Sequence, residues 1–565
     1  MFKCKQLLRR ICVVSYVFLL CGGLVNASNL VSKTNTLIGT QGNGWASGYL
    51  YPGATYPFGM VQFTPTYFTK QLGFVINQLS GAGCDHMGNF PTLPIAGALR
   101  VSPDSILNMQ TPVGKEIGTA GYYAATVDHS IRAELTVTER TGMARYTFSS
   151  KEKQGTVIIG GGVAATPIQV AAIKITGPHS CEGYAEGGAF CGIPTPYKVY
   201  FVAEFDADAE SFGTWKEERL HANHTFAEGS HSGVYFTFPL KEGNQAVQYK
   251  IGVSYVSVEN ARENLRVENP AWDFSAVRQA TQDKWNEYLG KIEVEGDNED
   301  RQMQFYTHLY RSLIHPNVCS DVNGEYMGAD SQVHKTARKF YTSFSNWDTY
   351  RTQTALIAML APEETSDIVM SHYLFAEQSG GGFPRWVLAN IETGVMQGDP
   401  TPILVANAYA FGARTYDPRT LLRTMRYGAE VPGANSQGVL TRPGLEQYLE
   451  KGYYDASILL EYTSSDFAIG RFALQACNDE PVCNWYTQRA MNWKNLFNKE
   501  TGWLQSRNED GSWKRYDADW RESTYKNYFW MVPYDLQGLI DSIGGKEAAE
   551  KRLDEMFRRL DASYG

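Results

Sequence analysis

The chain has 565 residues, too many for one compact core, so two to four domains are expected. Apolar residues make up 43% and charged residues 20%, which is ordinary for a soluble globular protein. The net charge is −9 without a dense basic run, which argues against a nucleic-acid partner, because phosphate neutralisation needs clustered Lys and Arg.

The chain opens on a targeting segment, residues 1–27. Lys3, Lys5, Arg9 and Arg10 precede a short apolar stretch from Ile11 to Leu20, and Val25-Asn26-Ala27 supplies a small-x-small cleavage signal. Cys21 follows Leu19-Leu20 and is a candidate lipid-anchor site, although a Leu stands where a small residue is expected. No later run has membrane length, so the mature protein is expected in the periplasm, at the cell surface or outside the cell. Export permits disulfides. Cys181/Cys191 and Cys477/Cys483 are close enough in sequence to close small loops, and both pairs are expected, although spacing alone does not fix connectivity. No CxxC or HExxH spacing is present, which disfavours a zinc site.

Residues 28–270 read as β-rich. Gly155–Ile159, Tyr197–Val202, Gly233–Phe238 and Tyr249–Val256 are β-branched or alternating runs, many of them separated by Gly, Asn and Asp, which suggests an antiparallel β-sandwich. Residues 271–300 read as a linker helix centred on Ser275–Leu289, where Val277, Ala280, Trp285 and Leu289 share one face. From residue 301 the helical period dominates. Helices are predicted at Met303–Leu313, Trp347–Leu360, Ala406–Ala413, Ser465–Ala476, Pro481–Leu496, Asp535–Ile543 and Lys546–Leu560. Long Gly- and aromatic-rich loops between them fit an α/α toroid with a cleft, and an ordinary bundle fits the periodicity equally well. Aromatic residues are abundant at 13%, with 34 Tyr and 12 Trp; flat rings suit sugar faces, and an aromatic core explains the same number.

Several strings carry candidate chemistry. In Phe344–Arg351, Ser345 or Asn346 can cap a helix, Trp347 and Arg351 share a face, and Asp348 sits in the first turn where the dipole favours a carboxylate. This is either a sugar platform beside a carboxylate or a well-capped core helix. In Gln378–Gly394, three glycines precede Arg385 and Trp386, with Glu392 downstream; a ligand loop and a plain helix connection are both open. Glu522 lies within the aromatic stretch Trp520–Trp530. Desolvation there would keep the carboxyl protonated, as a general acid requires, while Arg521 and Lys526 oppose it. Near the mature N-terminus, Pro52–Gln62 and Leu79–Asp85 are rich in turns, and the second carries Cys84 and Asp85.

Together and in this order, Pro52–Pro65, Leu79–Cys84, Phe305–Tyr326, Phe344–Gln353, Gly380–Trp386 with Glu392–Gly394, Asn498–Trp513 and Phe529–Gly545 resemble glycoside hydrolase family 92. The resemblance implies an N-terminal β-sandwich joined to an (α/α)6 barrel. It further implies an exo-acting, inverting α-mannosidase that needs Ca2+ and acts on mannose-containing glycans of the N-glycan or mannan type. The chain is expected to be a monomer. The family's acid falls on Glu522, and Trp347, Asp348, Arg385, Trp386, Glu392, Cys84 and Asp85 are the expected substrate-binding residues. Two departures stand out: Glu522-Ser523-Thr524 replaces the family's Glu-Gly-Asn, and Gln41–Leu50 lacks its usual Gly-Gly-His-type run. The Gly-Asn-Glu-Pro string and a later Asp-bearing string are absent, so the chain is expected to be an N-terminal fragment. Its barrel is then incomplete, and the catalytic base and calcium ligands lie beyond residue 565. A non-catalytic glycan-binding protein on the same scaffold, or another (α/α)6 enzyme, are the alternatives.

Overall fold

The computed structural model describes residues 29–40, 48–65, 73–104, 113–243 and 245–558. The expected signal segment, Cys21 and most of the 41–50 loop fall outside the described residues.

The first half is the antiparallel β-sandwich expected from the alternating runs. One sheet runs in the order Ala54–Thr55, Gln62–Pro65, Phe74–Val75, Thr92–Ala96, Gln154–Ile159, Ser232–Pro239, Ser211–Lys216, Arg219–Ala222. The other runs Phe226–Glu228, Ile168–Gly177, Ser180–Phe190, Ile193–Phe205, Ala246–Ser254, Thr141–Thr147, Ile131–Val137, Tyr122–Val127, Val113–Thr119. Successive side chains alternate faces, as in Ser180–Phe190, where every second residue from Cys181 to Gly187 is buried. Phe63, Val157, Phe201 and Phe236 fill the space between the sheets, and Ile158 and Trp215 are buried on the opposite face of their own sheet. Each fully buried Phe or Val there stabilises by about 1.5–3 kcal/mol. Gly233 is required by this packing, because a Cβ would lie 2.1 Å from the Trp215 ring.

Two helices, rather than one, join the halves. Val258–Glu268 starts at Ser257, whose hydroxyl accepts the Asn260 N–H at 3.0 Å, and Phe274–Leu289 starts at Asp273, which caps Ala276 at 3.0 Å. The first was missed because its apolar positions are few; Asn260 and Asn264 occupy its buried face. Their amides donate to Asp321 at 2.9 and 2.6 Å, and Ser254 adds a third bond at 2.7 Å. Burial pushes the Asp321 carboxyl up to about 6, while these three donors pull the other way.

The second half is helical. Glu299–Ser312, Thr401–Ala410, Ala456–Cys477, Glu480–Ala490, Leu536–Ser542 and Lys546–Phe557 lie where helices are predicted, with shifted ends. The predicted Trp347–Leu360 helix is broken into Asn346–Thr349 and Gln353–Leu360. Pro362–Gln378, Pro418–Glu430 and Leu445–Lys451 were not anticipated. Pro362–Gln378 hides its period because Thr365, Ser366, Ser371 and His372 occupy buried positions. Lys546–Phe557 buries only Ala549 among its described residues, and Phe557 is exposed. Between helices, Arg442 reaches Asp399 (2.8 Å) and Asp466 (2.7 Å), and Asp466 also takes Arg489 and Tyr448. Two cations thus balance two carboxylates in a buried layer.

Both expected disulfides are corrected. Cys84 pairs with Cys191, and Cys181, Cys319, Cys477 and Cys483 are free. Cys181 opens the Ser180–Phe190 strand and Cys191 follows its far end. At about 3.3 Å per residue the two are far beyond disulfide reach. Cys477 closes one helix and Cys483 lies inside the next, across the left-handed turn at Asn478.

Candidate active site

A short β-ribbon aims the first candidate residues. Phe344–Ser345 pairs with Trp386–Leu388, which pairs with Ile391–Glu392. The chain then turns into Asn346–Thr349, pinned by buried Asn346, whose amide donates to Pro384 O at 3.1 Å and Thr401 Oγ1 at 2.9 Å. Ser345 does not cap this turn; its hydroxyl donates to the Asp348 carboxylate instead. Desolvation raises the Asp348 carboxyl above its usual range, against the Ser345 bond and the Arg351 charge. Arg351 lies over the Trp347 ring at 4.6 Å and the Tyr350 ring at 4.8 Å.

These residues open onto a cleft of about 820 Å³. Trp347, Tyr350 and Arg351 form one wall. Ile403, Ala406, Asn407 and Ala410, one face of Thr401–Ala410, form a second. Ser464, Phe467, Ala468, Arg471 and Gln475 on Ala456–Cys477 form a third. The 521–534 loop closes the cleft and brings Glu522 to it. Glu522 adopts a φ of 51°, an uncommon conformation for a side-chain-bearing residue and of the kind that concentrates at functional sites.

Glu522 departs from expectation in one respect. Its carboxyl is not enclosed by rings; the residue is exposed at the cleft edge. The surrounding aromatics pack on one another beneath the loop instead. Trp520 lies 5.3 Å from Tyr528, Tyr516 lies 5.0 Å from Tyr525, and Trp503 contacts Tyr525 and Phe529. The rings therefore hold the loop's shape.

Among the expected substrate-binding residues, Trp347 lines the cleft with Glu522 and the others do not. Arg385 is buried, and its guanidinium donates to the carbonyls of Gly398 (3.0 Å), Met396 (3.4 Å), Leu440 (3.0 Å) and Thr441 (3.4 Å). Glu392 is buried and accepts the backbone N–H groups of Arg385 (2.6 Å), Trp386 (3.2 Å) and Gly394 (2.9 Å). Trp386 is buried and stacks on Phe190 with ring centres 4.2 Å apart. These three build the ribbon that delivers Trp347. Asp348 shares Trp347's turn without lining the cleft. Cys84 is held in its disulfide, and it and Asp85 border a separate recess of about 290 Å³ with Thr166, Pro167 and Cys191.

Sequence reasoning missed Glu461. It is fully buried on Ala456–Cys477 and accepts the Tyr350 hydroxyl at 3.0 Å and an Arg351 N–H at 3.3 Å. Burial pushes its carboxyl up to about 7, with Arg351, Tyr350 and the Trp347 indole opposing. The available signal was a lone Glu in step with Ser457, Ser465 and Ala468; starting the helix at Ser465 concealed it.

Among the described residues, no group of three or more His, Cys, Asp or Glu side chains is placed to hold a metal ion. Among the described residues, no helix is long and apolar enough to cross a membrane.

The glycosyl hydrolase family 92 N-terminal domain matches residues 34–254, and the family's catalytic domain matches residues 260–564. A family GH92 alpha-mannosidase from Bacteroides thetaiotaomicron superposes with a TM-score of 0.85 at 25% identity, covering 94% of this chain and 75% of that one. A family GH92 inverting mannosidase from Bacteroides thetaiotaomicron VPI-5482 gives 0.84 at 26% identity, covering 93% and 74%. A protein of Arthroderma benhamiae described as an uncharacterized secreted glycosidase is 25% identical, over 93% of this chain and 74% of its own length. The chain spans about three quarters of the length of these relatives. With both domains matched in order and the sandwich-plus-helical fold shared, the chain belongs to glycosyl hydrolase family 92.

Proposed function

We propose that the protein is an exported, exo-acting α-mannosidase that releases terminal mannose from mannose-containing glycans with inversion at the anomeric carbon. The observation that carries this reading is that Trp347, from the family-like Phe344–Gln353 string, and Glu522, from the aromatic stretch just before Phe529–Gly545, line one cleft. The Glu522 carboxyl donates its proton to the glycosidic oxygen as the C1–O bond breaks. Water adds to C1 from the opposite face and gives its proton to a base. Trp347 offers a ring face to the sugar's C–H surface, and Arg351 offers N–H donors to its hydroxyls.

Calcium assistance belongs to the proposal through the family resemblance. When bound, the ion would supply positive charge to the mannose hydroxyls. Dialysis against EDTA is expected to abolish mannose release, and added Ca2+ to restore it. Full activity after chelation contradicts this part. Export is supported by the description of the Arthroderma relative as secreted.

Glu522→Gln tests the acid. On mannosides with poor leaving groups, the rate is expected to fall about 10²–10⁴-fold. On dinitrophenyl mannoside, whose leaving group needs little protonation, the loss is expected to be much smaller. Equal activity of the variant on both substrates removes Glu522 from the mechanism. A second reading, a glycan-binding protein without turnover, is favoured by the exposure of Glu522. Mannoside binding without mannose release would select it.

A further inference from the structure

Glu461 has a role that the proton-transfer scheme does not use. Its side chain is wholly removed from solvent, yet its two carboxylate oxygens reach two residues of the cleft wall, Tyr350 at 3.0 Å and Arg351 at 3.3 Å. The ion pair joins a buried carboxylate to an arginine whose side chain is 39% exposed, so the charge of the cleft wall is fixed from behind. The carboxylate itself has little freedom. Gly398 packs so closely that a Cβ there would lie 2.5 Å from the Glu461 Cβ, and Gly398 has a φ of 76°. Arg351 in turn covers the Trp347 ring, and the Trp347 indole and Tyr528 complete the polar surroundings of the carboxylate.

We infer that Glu461 is a positioning residue for glycan binding: it holds Arg351 and Tyr350 so that the Trp347–Arg351 wall is already set to receive a sugar. This rests on the reading of the cleft as a mannoside site. An arginine left loose over a tryptophan must be ordered when the sugar arrives, and that ordering weakens binding. A guanidinium tethered through one N–H keeps its other donors at fixed places for sugar hydroxyls.

The test is Glu461→Gln, which preserves volume and an acceptor for Tyr350 while removing the charge. Methyl α-mannoside binding, measured by calorimetry, is expected to weaken about tenfold, the scale of a charged hydrogen bond. Arg351→Lys is expected to weaken it similarly, and the double variant to bind no worse than Arg351→Lys alone, because both changes break the same link. In turnover, KM is expected to rise with little change in kcat. A residue that served only the fold would lower Tm and leave the Kd of folded protein unchanged.

Phenylglyoxal labelling of Arg351, followed by mass spectrometry, reads the tether without any sugar. Its rate is expected to rise several-fold in Glu461→Gln. Unchanged labelling, or additive losses in the double variant, overturns the inference. If the wild type binds no mannoside, the functional reading fails, and the labelling result still decides whether Glu461 holds Arg351.

Discussion

At the scale of single residues, the cleft wall combines a ring, a cation and a buried anion. Trp347 gives a hydrophobic face with an electron-rich π surface, and Arg351 covers part of it. Trp347→Ala is expected to weaken mannoside binding by about 1–3 kcal/mol, and calorimetry would detect it. Unaltered affinity would place the sugar elsewhere. Glu461 adds a pH dependence. Its carboxyl is pushed up to about 7 by burial, and the groups facing it are Arg351, Tyr350, Trp347 and Tyr528. As pH falls through that value the carboxylate is protonated and its hold on Arg351 weakens. Mannoside affinity is therefore expected to strengthen between about pH 6 and 8 in the wild type and to stay flatter in Glu461→Gln. Parallel profiles for the two proteins would contradict this.

At the scale of elements, the Leu79–Cys84 segment shows how neutral histidines can hold a loop. His86 Nε2 accepts the Leu79 N–H at 2.8 Å, and its Nδ1 bonds to Cys84 O at 2.7 Å. His315 Nε2 accepts the Ser80 N–H at 3.0 Å. Accepting a backbone N–H requires an unprotonated nitrogen, and burial lowers both imidazoles to about 4. The unfolded chain, at the ordinary value near 6.5, binds protons first as pH falls. The stabilisation is thus complete above about pH 6.5 and is lost as pH drops toward 4, at up to about 1.4 kcal/mol per pH unit for each histidine. Glu461 and Asp321 push the other way in part of this window, so the comparison must be with a variant. Urea unfolding at several pH values is expected to give a smaller acid loss for His86→Gln than for the wild type, because an amide keeps an acceptor without titrating. Equal slopes would remove the histidine from the account. The Cys84–Cys191 bond ties the same loop to a hairpin 107 residues away, and reducing it is expected to lower stability by about 2–5 kcal/mol, visible as a fall in Tm.

These elements also show what the sequence makes legible. Gly155–Ile159 and Tyr249–Val256 announce strands because alternation or β-branching survives in one short run. Pro362–Gln378 does not announce its helix, because serine, threonine and histidine fill its buried face through hydrogen bonds that sequence does not display. Trp347 and Glu522 could be picked from their strings. Arg385 and Glu392, expected as ligands, bond to backbone groups in the structure, and a buried Arg feeding carbonyls and a buried Glu collecting backbone N–H groups look, in sequence, like any polar pair beside glycines. Glu461 was invisible because its meaning depends on Tyr350 and Arg351, which are distant along the chain. Spacing suggested Cys181 with Cys191; strand length forbids it.

At the scale of the whole molecule, the two halves share buried structure. The sandwich core continues through Phe190 onto Trp386 and Leu388 of the ribbon that carries Trp347. Trp285 donates to Thr55 O at 2.7 Å, and Arg140 donates to Ser320 O at 2.7 Å while pairing with Glu268 at 2.7 Å. The sandwich thus braces the cleft from behind. The claim on which the rest stands is that this braced cleft cleaves an α-mannoside through protonation by Glu522 and attack by water from the opposite face. The most direct measurement is proton NMR of the purified protein with an α-linked mannobiose, followed from the first minutes. The account predicts β-mannose as the first sugar released, with the α-anomer growing in only by mutarotation. Initial release of α-mannose, or no mannose release at all, would contradict it.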